Sequence, residues 1–143
     1  MKVVDLFAGC GGLSLGFEWA RFHVVAASEQ DAWAADTYER NHPRTRLFRG
    51  DVRSVRDWRA SLGIDGDDAS RIDGVIGGPP CQGFSISGSR DSRDPRNSLF
   101  LEFVRCVREL RPRFCVMENV PGLLSMRLAN GEPAIDVILK ELR

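Results

Sequence analysis

Apolar positions along this chain fall into two alternating kinds of run: short, nearly continuous ones, and longer ones with apolar residues three and four apart. The short runs predict strands at KVVDLF (2–7), HVVAASE (23–29), RLFRGD (46–51), IDGVIG (72–77) and RFCVMENV (113–120). The spaced runs predict helices at GLSLGFEWARF (12–22), at DAWAADTYERNH (31–42) stopped by Pro43, at NSLFLEFVRCVRELR (97–111) and at PAIDVILKELR (133–143). In the third helix Leu99, Phe103, Val107 and Leu110, with arginines between them, form the stripe of an amphipathic helix packed on a sheet. LGIDGDDAS (62–70) reads as an acidic, turn-rich linker and residues 86–97 as a polar loop, both at the surface.

Strands that are almost unbroken apolar runs, each followed by a helix, predict an α/β fold whose mostly parallel sheet is covered on both faces. The crossovers are expected to be right-handed. Such sheets bind ligands outside the carboxyl ends of their strands. The chain's conspicuous glycines and acids all fall there: Asp5 to Gly12, Glu29, Asp51, Gly77 to Ser85, and Glu118 to Gly122.

Composition narrows the class. At 143 residues, 43% apolar and 28% charged, the chain is one globular domain's worth of sequence. A formal net charge of zero argues against a broad basic surface, so any nucleic-acid contact must be local. Cys10, Cys81, Cys106 and Cys115 show no CxxC pairing, so no metal site and no disulfide framework is expected, and a reducing compartment fits best. The first residues do not resemble a signal peptide and no apolar stretch reaches membrane-spanning length, so the expected location is cytoplasmic.

In DLFAGCGGLSLGF, Gly9, Gly11 and Gly12 sit where a strand turns into a helix and let bare backbone approach a ligand at the helix N-terminus. Ser14 stands where a GxGxxG fingerprint needs glycine, so a pyrophosphate grip is not indicated, and a tight turn without a ligand remains open. Glu29, about 20 residues beyond Gly9, is placed to accept ribose hydroxyls, or is a solvated carboxylate before a helix. Asp51 can accept from an adenine amino group, or merely start a turn. Together they describe an adenosine pocket without a diphosphate, a description that S-adenosylmethionine fits.

GGPPCQGFS (77–85) places Cys81 behind Pro79 and Pro80 among three glycines. A thiol near its free pKa of about 8.5 is mostly un-ionised at neutral pH, so a nucleophilic cysteine needs a setting that positions or ionises it. Stiff prolines and bare glycines give a rigid nucleophile with room for a flat substrate; the alternative is an inert cysteine, which accounts for Cys106 and Cys115. Glu118 follows the apolar RFCVM directly, where desolvation is expected to raise its pKa toward neutrality and make it a usable acid. A purely structural strand-end carboxylate is the alternative.

These stretches, with DPRNSLF (94–100) and MENVPGL (117–123), resemble in order the motifs of the C5 cytosine DNA methyltransferases over nearly the whole chain. Gly83, Phe84 and Ser85 favour the DNA-acting members over the tRNA-acting branch. The resemblance implies a partial S-adenosylmethionine-dependent (Rossmann-like) domain over 1–143, lacking the C-terminal strands and the target-recognition region. It implies that Cys81 adds to C6 of a flipped cytosine in double-stranded DNA, that Glu118 acts at N3, that Asn119 helps hold the acid and the catalytic loop, and that the Pro80 carbonyl meets the exocyclic amine. By the same resemblance Phe7, Ala8, Gly9, Gly11, Gly12, Glu29, Asp51, Val52, Pro79, Asn97 and Leu99 line S-adenosyl-L-methionine. Gln82, Ser85, Ser87, Arg90, Arg93 and Arg96 belong to a mobile segment, about 81–97, that closes over the DNA, although each arginine taken singly can be simply solvated.

Family members continue well past ENVPGL, with an arginine-bearing motif, the DNA-reading region and a late segment that returns to the cofactor. The expectation is therefore a catalytic half, inactive alone, that needs a second polypeptide or a C-terminal region, with FCVM left as an exposed sheet edge. A non-catalytic remnant that binds S-adenosylmethionine, and an unrelated nucleotide-binding domain with coincidental motifs, are the other readings.

Overall fold

The computed structural model describes residues 1–64, 71–80, 99–128 and 131–142. Part of the acidic linker (65–70) lies outside the described residues, as do Cys81, Gln82, Ser85, Ser87, Arg90, Arg93, Arg96 and Asn97.

Five strands, β1 (Lys2–Leu6), β2 (His23–Glu29), β3 (Arg46–Arg49), β4 (Gly74–Gly77) and β5 (Phe114–Met117), pair in parallel in the order β3-β2-β1-β4-β5. Strand alternation decides which side chain meets which layer. On one face Val3, Val24 and Ile76 pack with Leu13 and Phe17 of α1 (Gly12–Trp19), and Ala27 packs with Tyr38 of α2 (Ala32–Asn41). On the other face Val4, Leu6, Ala26 and Val75 pack with Trp58 of α3 (Trp58–Ser61) and with Leu99, Phe103, Cys106 and Leu110 of α4 (Leu99–Leu110). The expected parallel sheet with helices on both faces is what forms.

The expected stripe on α4 is nearly the observed one, with Val107 half-buried against the core. Phe100, on the neighbouring flank, meets a second cluster of Leu123, Met126, Ala134 and Ile138. That cluster docks α5 (Ala134–Glu141) and the 3₁₀ turn Pro121–Ser125.

Two expectations need correction. The first helix does not run to residue 22. It stops at Trp19, and Arg21 takes a left-handed conformation (φ 66°) while Phe22 N–H donates to Phe17 O, which turns the chain into β2. The second is the length of β5, which ends at Met117 and not at residue 120. It stands at the edge of the sheet, as expected of FCVM, its side chains only partly covered and Val116 exposed, because β4 pairs with one side of it alone.

Between β3 and β4 the chain forms a 3₁₀ turn (Val52–Ser54) and then α3, neither of them predicted. Asp51 and Asp57 cap them, their carboxylates accepting from Arg53 N and Ala60 N. Val52, Val55, Trp58 and Leu62 fill the core from this segment.

Candidate functional site

The strand order reverses between β1 and β4, and in open parallel sheets that is where the carboxyl ends leave a crevice. A cavity of about 210 Å³ opens there, lined by Phe7, Ser28, Glu29, Gln30, Gly50, Val52, Gly78, Pro80 and Leu99. It draws residues from the ends of four strands and from the first turn of α4.

The glycine loop is held by backbone geometry that side chains disfavour. Phe7 takes a positive φ of 58°, an uncommon conformation for a bulky residue that is retained mainly at functional sites. Gly9 (φ 56°) and Gly11 (φ 93°) continue the turn in conformations open to glycine, and a side chain on Gly11 would run into the His42 ring. Ala8 N donates to Ser28 O and Gly11 N to Ala8 O. Ala8 itself is buried against Ala27 and Tyr38, away from the cavity, and Gly12 is exposed as the first residue of α1.

Glu29 binds the loop to β2. One carboxylate oxygen accepts from Gly9 N at 2.8 Å and the other from Gln30 N and Asp31 N, each at 2.8 Å. Three backbone donors use three of about four lone-pair positions and leave the carboxylate room for one more donor from the cavity. Ser28, beside it, is fully buried, and its hydroxyl has no hydrogen-bond partner among the described residues. An orphaned buried hydroxyl on a cavity wall suits a polar ligand.

Asp51 stands differently. Gly50 and Val52 line the cavity on either side of it, but its carboxylate is held by Arg53, whose Nη2 lies 2.6 Å from Oδ2. The hydrogen bonds from Arg53 lower its pKa.

Beneath the loop lies a buried polar chain. Asp5 is fully buried, and Ser14 Oγ donates to its Oδ2 at 2.6 Å. Because the Ser14 proton is used there, Tyr38 Oη, 2.8 Å away, is the donor to Ser14 Oγ. Desolvation pushes the Asp5 carboxyl up to about 6 despite the Ser14 bond, and pushes the Tyr38 hydroxyl up to about 12. Cys106 and Cys115 are also pushed up by burial, in keeping with their reading as inert thiols.

At the β4–β5 end, Pro79 is buried and Pro80 lines the cavity. Asn119 Nδ2 donates to Pro79 O at 2.8 Å, and Glu118 N donates to Gly77 O. A Cβ placed on Gly78 would stand 3.1 Å from Glu118 Oε2, so the carboxylate faces the bare backbone of Gly78. The burial expected for Glu118 is not found. The residue is exposed, because the edge strand that leads into it has solvent on its free side, so the desolvation expected there is absent.

The structure thus brings Phe7, Glu29, Val52, Pro80 and Leu99 around one cavity and sets Gly9, Glu118 and Asn119 beside its walls. Gly78, one of the three glycines noted around Cys81, also lines the cavity, whereas Ser28, Gln30 and Gly50 were not singled out as site residues by the sequence. The one signal of those three was adjacency to Glu29 and Asp51 at strand ends.

A family model for C-5 cytosine-specific DNA methylases matches residues 1–143. The type II methyltransferase M.DdeI of Desulfomicrobium norvegicum is 46% identical over 141 residues, which make up 99% of this chain and 33% of that protein. M.NgoPII of Neisseria gonorrhoeae is 43% identical, over 98% of this chain and 38% of its own length. Among solved structures, a prophage-encoded E. coli protein assigned as a DNA modification methyltransferase superposes with a TM-score of 0.80 at 38% identity, covering 99% of this chain and 37% of that one. The chain spans about a third of the length of these relatives. It belongs to the C-5 cytosine-specific DNA methylases, enzymes whose methyl donor is S-adenosyl-L-methionine.

Proposed function

We propose that this chain is the cofactor-binding and catalytic half of a DNA (cytosine-5-)-methyltransferase. The observation that carries the reading is the cavity where β1 and β4 part, which gathers residues from three of the four quoted motifs: Phe7 from the glycine loop, Gly78 and Pro80 from GGPPCQGFS and Leu99 from DPRNSLF.

The residues present fit the methyl donor. The spare acceptor position on Glu29 suits a ribose hydroxyl, and the unpartnered Ser28 hydroxyl suits a polar group of the nucleoside. Phe7, Val52 and Leu99 supply apolar walls, and Gly9 and Gly11 the close backbone. Gly12, Ala8, Pro79, Asn97 and Asp51 complete the set carried over from the family, with Asp51 exchanging its Arg53 contact for the adenine amine. When bound, the cofactor supplies an electrophilic methyl group on a sulfonium.

The chain's own residues do the rest. C5 of cytosine is a poor nucleophile until a thiolate adds at C6, the step assigned to Cys81. Glu118 hydrogen-bonds to N3 or protonates it as the negative charge develops, and Asn119, through its bond to Pro79 O, holds the acid strand against the catalytic loop. Once C5 carries the methyl group, solvent water takes the C5 proton, the C5–C6 double bond re-forms as the C6–S electron pair returns to Cys81 as thiolate, and any proton given to N3 goes back to Glu118. C6 is hidden in duplex DNA, so the base must flip out, at a cost of a few kcal/mol that protein contacts offset. Gln82, Ser85, Ser87, Arg90, Arg93 and Arg96 are the proposed source of those contacts. The expected location of the working enzyme is the cytoplasm, with the DNA. Among the described residues no helix is long and apolar enough to cross a membrane, and no cluster of His, Cys, Asp or Glu could hold a metal ion.

The same reading holds that activity needs a further polypeptide or region. Two features support it: the exposed β5 edge, and an apolar groove beside it lined by Met1, Leu13, Phe17, Phe22, Phe114 and Val116. The test is methyl transfer from labelled cofactor to DNA by the complete enzyme. Cys81→Ser is expected to abolish it, and retained transfer would rule out the covalent step.

A further inference from the structure

We propose that His42 is a positioning residue for the glycine loop and that it acts as an imidazolium. The inference rests on the reading of residues 7–12 as the cofactor loop. His42 follows α2 as its C-cap and is 4% exposed, its ring tilted against that of Tyr38 with centroids 4.5 Å apart. Its Nε2 lies 3.1 Å from Gly11 O. A carbonyl oxygen only accepts, so Nε2 carries a proton. The same oxygen accepts from Leu15 N at 2.9 Å, the bond that opens α1, so His42 grips the point where loop becomes helix.

The other ring nitrogen settles the charge. Nδ1 lies 3.2 Å from Glu18 Oε2 on α1, in a contact without the alignment of a directed hydrogen bond. A neutral ring with its proton on Nε2 would turn the Nδ1 lone pair toward a carboxylate, which is repulsive. A second proton turns the repulsion into an ion pair. The groups around the ring agree in sign. Asp5 on β1 is electrostatically coupled to it, with Glu29 on β2 adding negative charge near Asp5. Ser14, Tyr38 and Thr45 are neutral hydroxyls, the last in the turn where Thr45 N donates to His42 O.

It follows that the hold on Gly11 slackens when the ring loses its second proton. Cofactor affinity falls with it.

The test is a calorimetric titration of the intact protein with S-adenosylhomocysteine at about pH 6 and about pH 8.5. The wild type is expected to lose about tenfold in affinity at the higher pH. Glu18→Gln, whose carboxamide can donate to a neutral Nδ1, is expected to bind alike at both, as is His42→Gln, which keeps a neutral donor for Gly11 O. Glu18 is partly exposed, so its variant keeps the test alive should the His42 variant not fold. A parallel nitrogen-15 spectrum of the imidazoles, with only His23 and His42 in this chain, reads the charge directly. Both His42 nitrogens are expected to be protonated at about pH 6. A neutral ring there, or a wild-type slope retained in Glu18→Gln, would overturn the proposal. No binding at either pH would overturn the cofactor reading instead, and the ring spectrum would still decide this one.

Discussion

Asp5 carries an energetic cost that the rest of the loop must offset. Its carboxyl is fully buried and accepts one hydroxyl proton, while Oδ1 has no partner among the described residues. Burial raises its folded-state value above the ordinary 3.8 to about 6. A raised carboxyl contributes stability that is fully present below the unfolded value and is lost as pH rises through the folded one. The wild type is therefore expected to lose about 3 kcal/mol, relative to Asp5→Asn, between about pH 4 and pH 7, as read from urea midpoints. A difference independent of pH would mean that the carboxyl is not desolvated. Glu29 is the opposite case, a carboxylate with three backbone donors. Glu29→Gln turns an amide against one of those donors and is expected to cost about 1–3 kcal/mol of stability, seen in the same titration.

The elements show which parts of the pattern could be read in advance and why. The strands β1, β2 and β4 and the stripe of α4 were legible because they bury one face or two, and burial leaves a period in the sequence. Val52, Val55, Trp58 and Leu62 carry such a period too, but Arg53, Arg56 and Arg59 interrupt it and the turns are short, so a segment that fills the core went unassigned. Trp58 is the largest fully buried side chain, stacked under Arg105, whose guanidinium also donates to Val52 O. Trp58→Ala is expected to cost about 3–5 kcal/mol in denaturant unfolding and to loosen the Val52 wall of the cavity. At β4, a side chain on Gly74 would strike the Phe114 ring of β5, so Gly74→Ala is expected to destabilise by about 1–3 kcal/mol and to weaken hydrogen-exchange protection of β5 before that of β1. Uniform loss of protection would count against that local account. What the sequence could not show were contacts between distant positions, such as His42 with Gly11 or Asn119 with Pro79, because they follow from packing rather than from spacing.

At the scale of the whole molecule, the reversal of strand order between β1 and β4 converts separate motifs into one site. Glu29 was legible as a strand-end acid, but its hold on Gly9 was not, and the exposure of Glu118 came as a correction because β5 is an edge. That edge and the apolar groove beside it are the surface on which the proposed remainder of the enzyme would pack. The central claim, that the cavity binds the methyl donor, is tested most directly by titrating the intact protein with S-adenosylhomocysteine in a calorimeter beside a Glu29→Ala variant. The account predicts saturable one-to-one binding that the variant weakens by about tenfold or more. Equal binding by both proteins, or none by a wild type whose circular dichroism shows it folded, would contradict it.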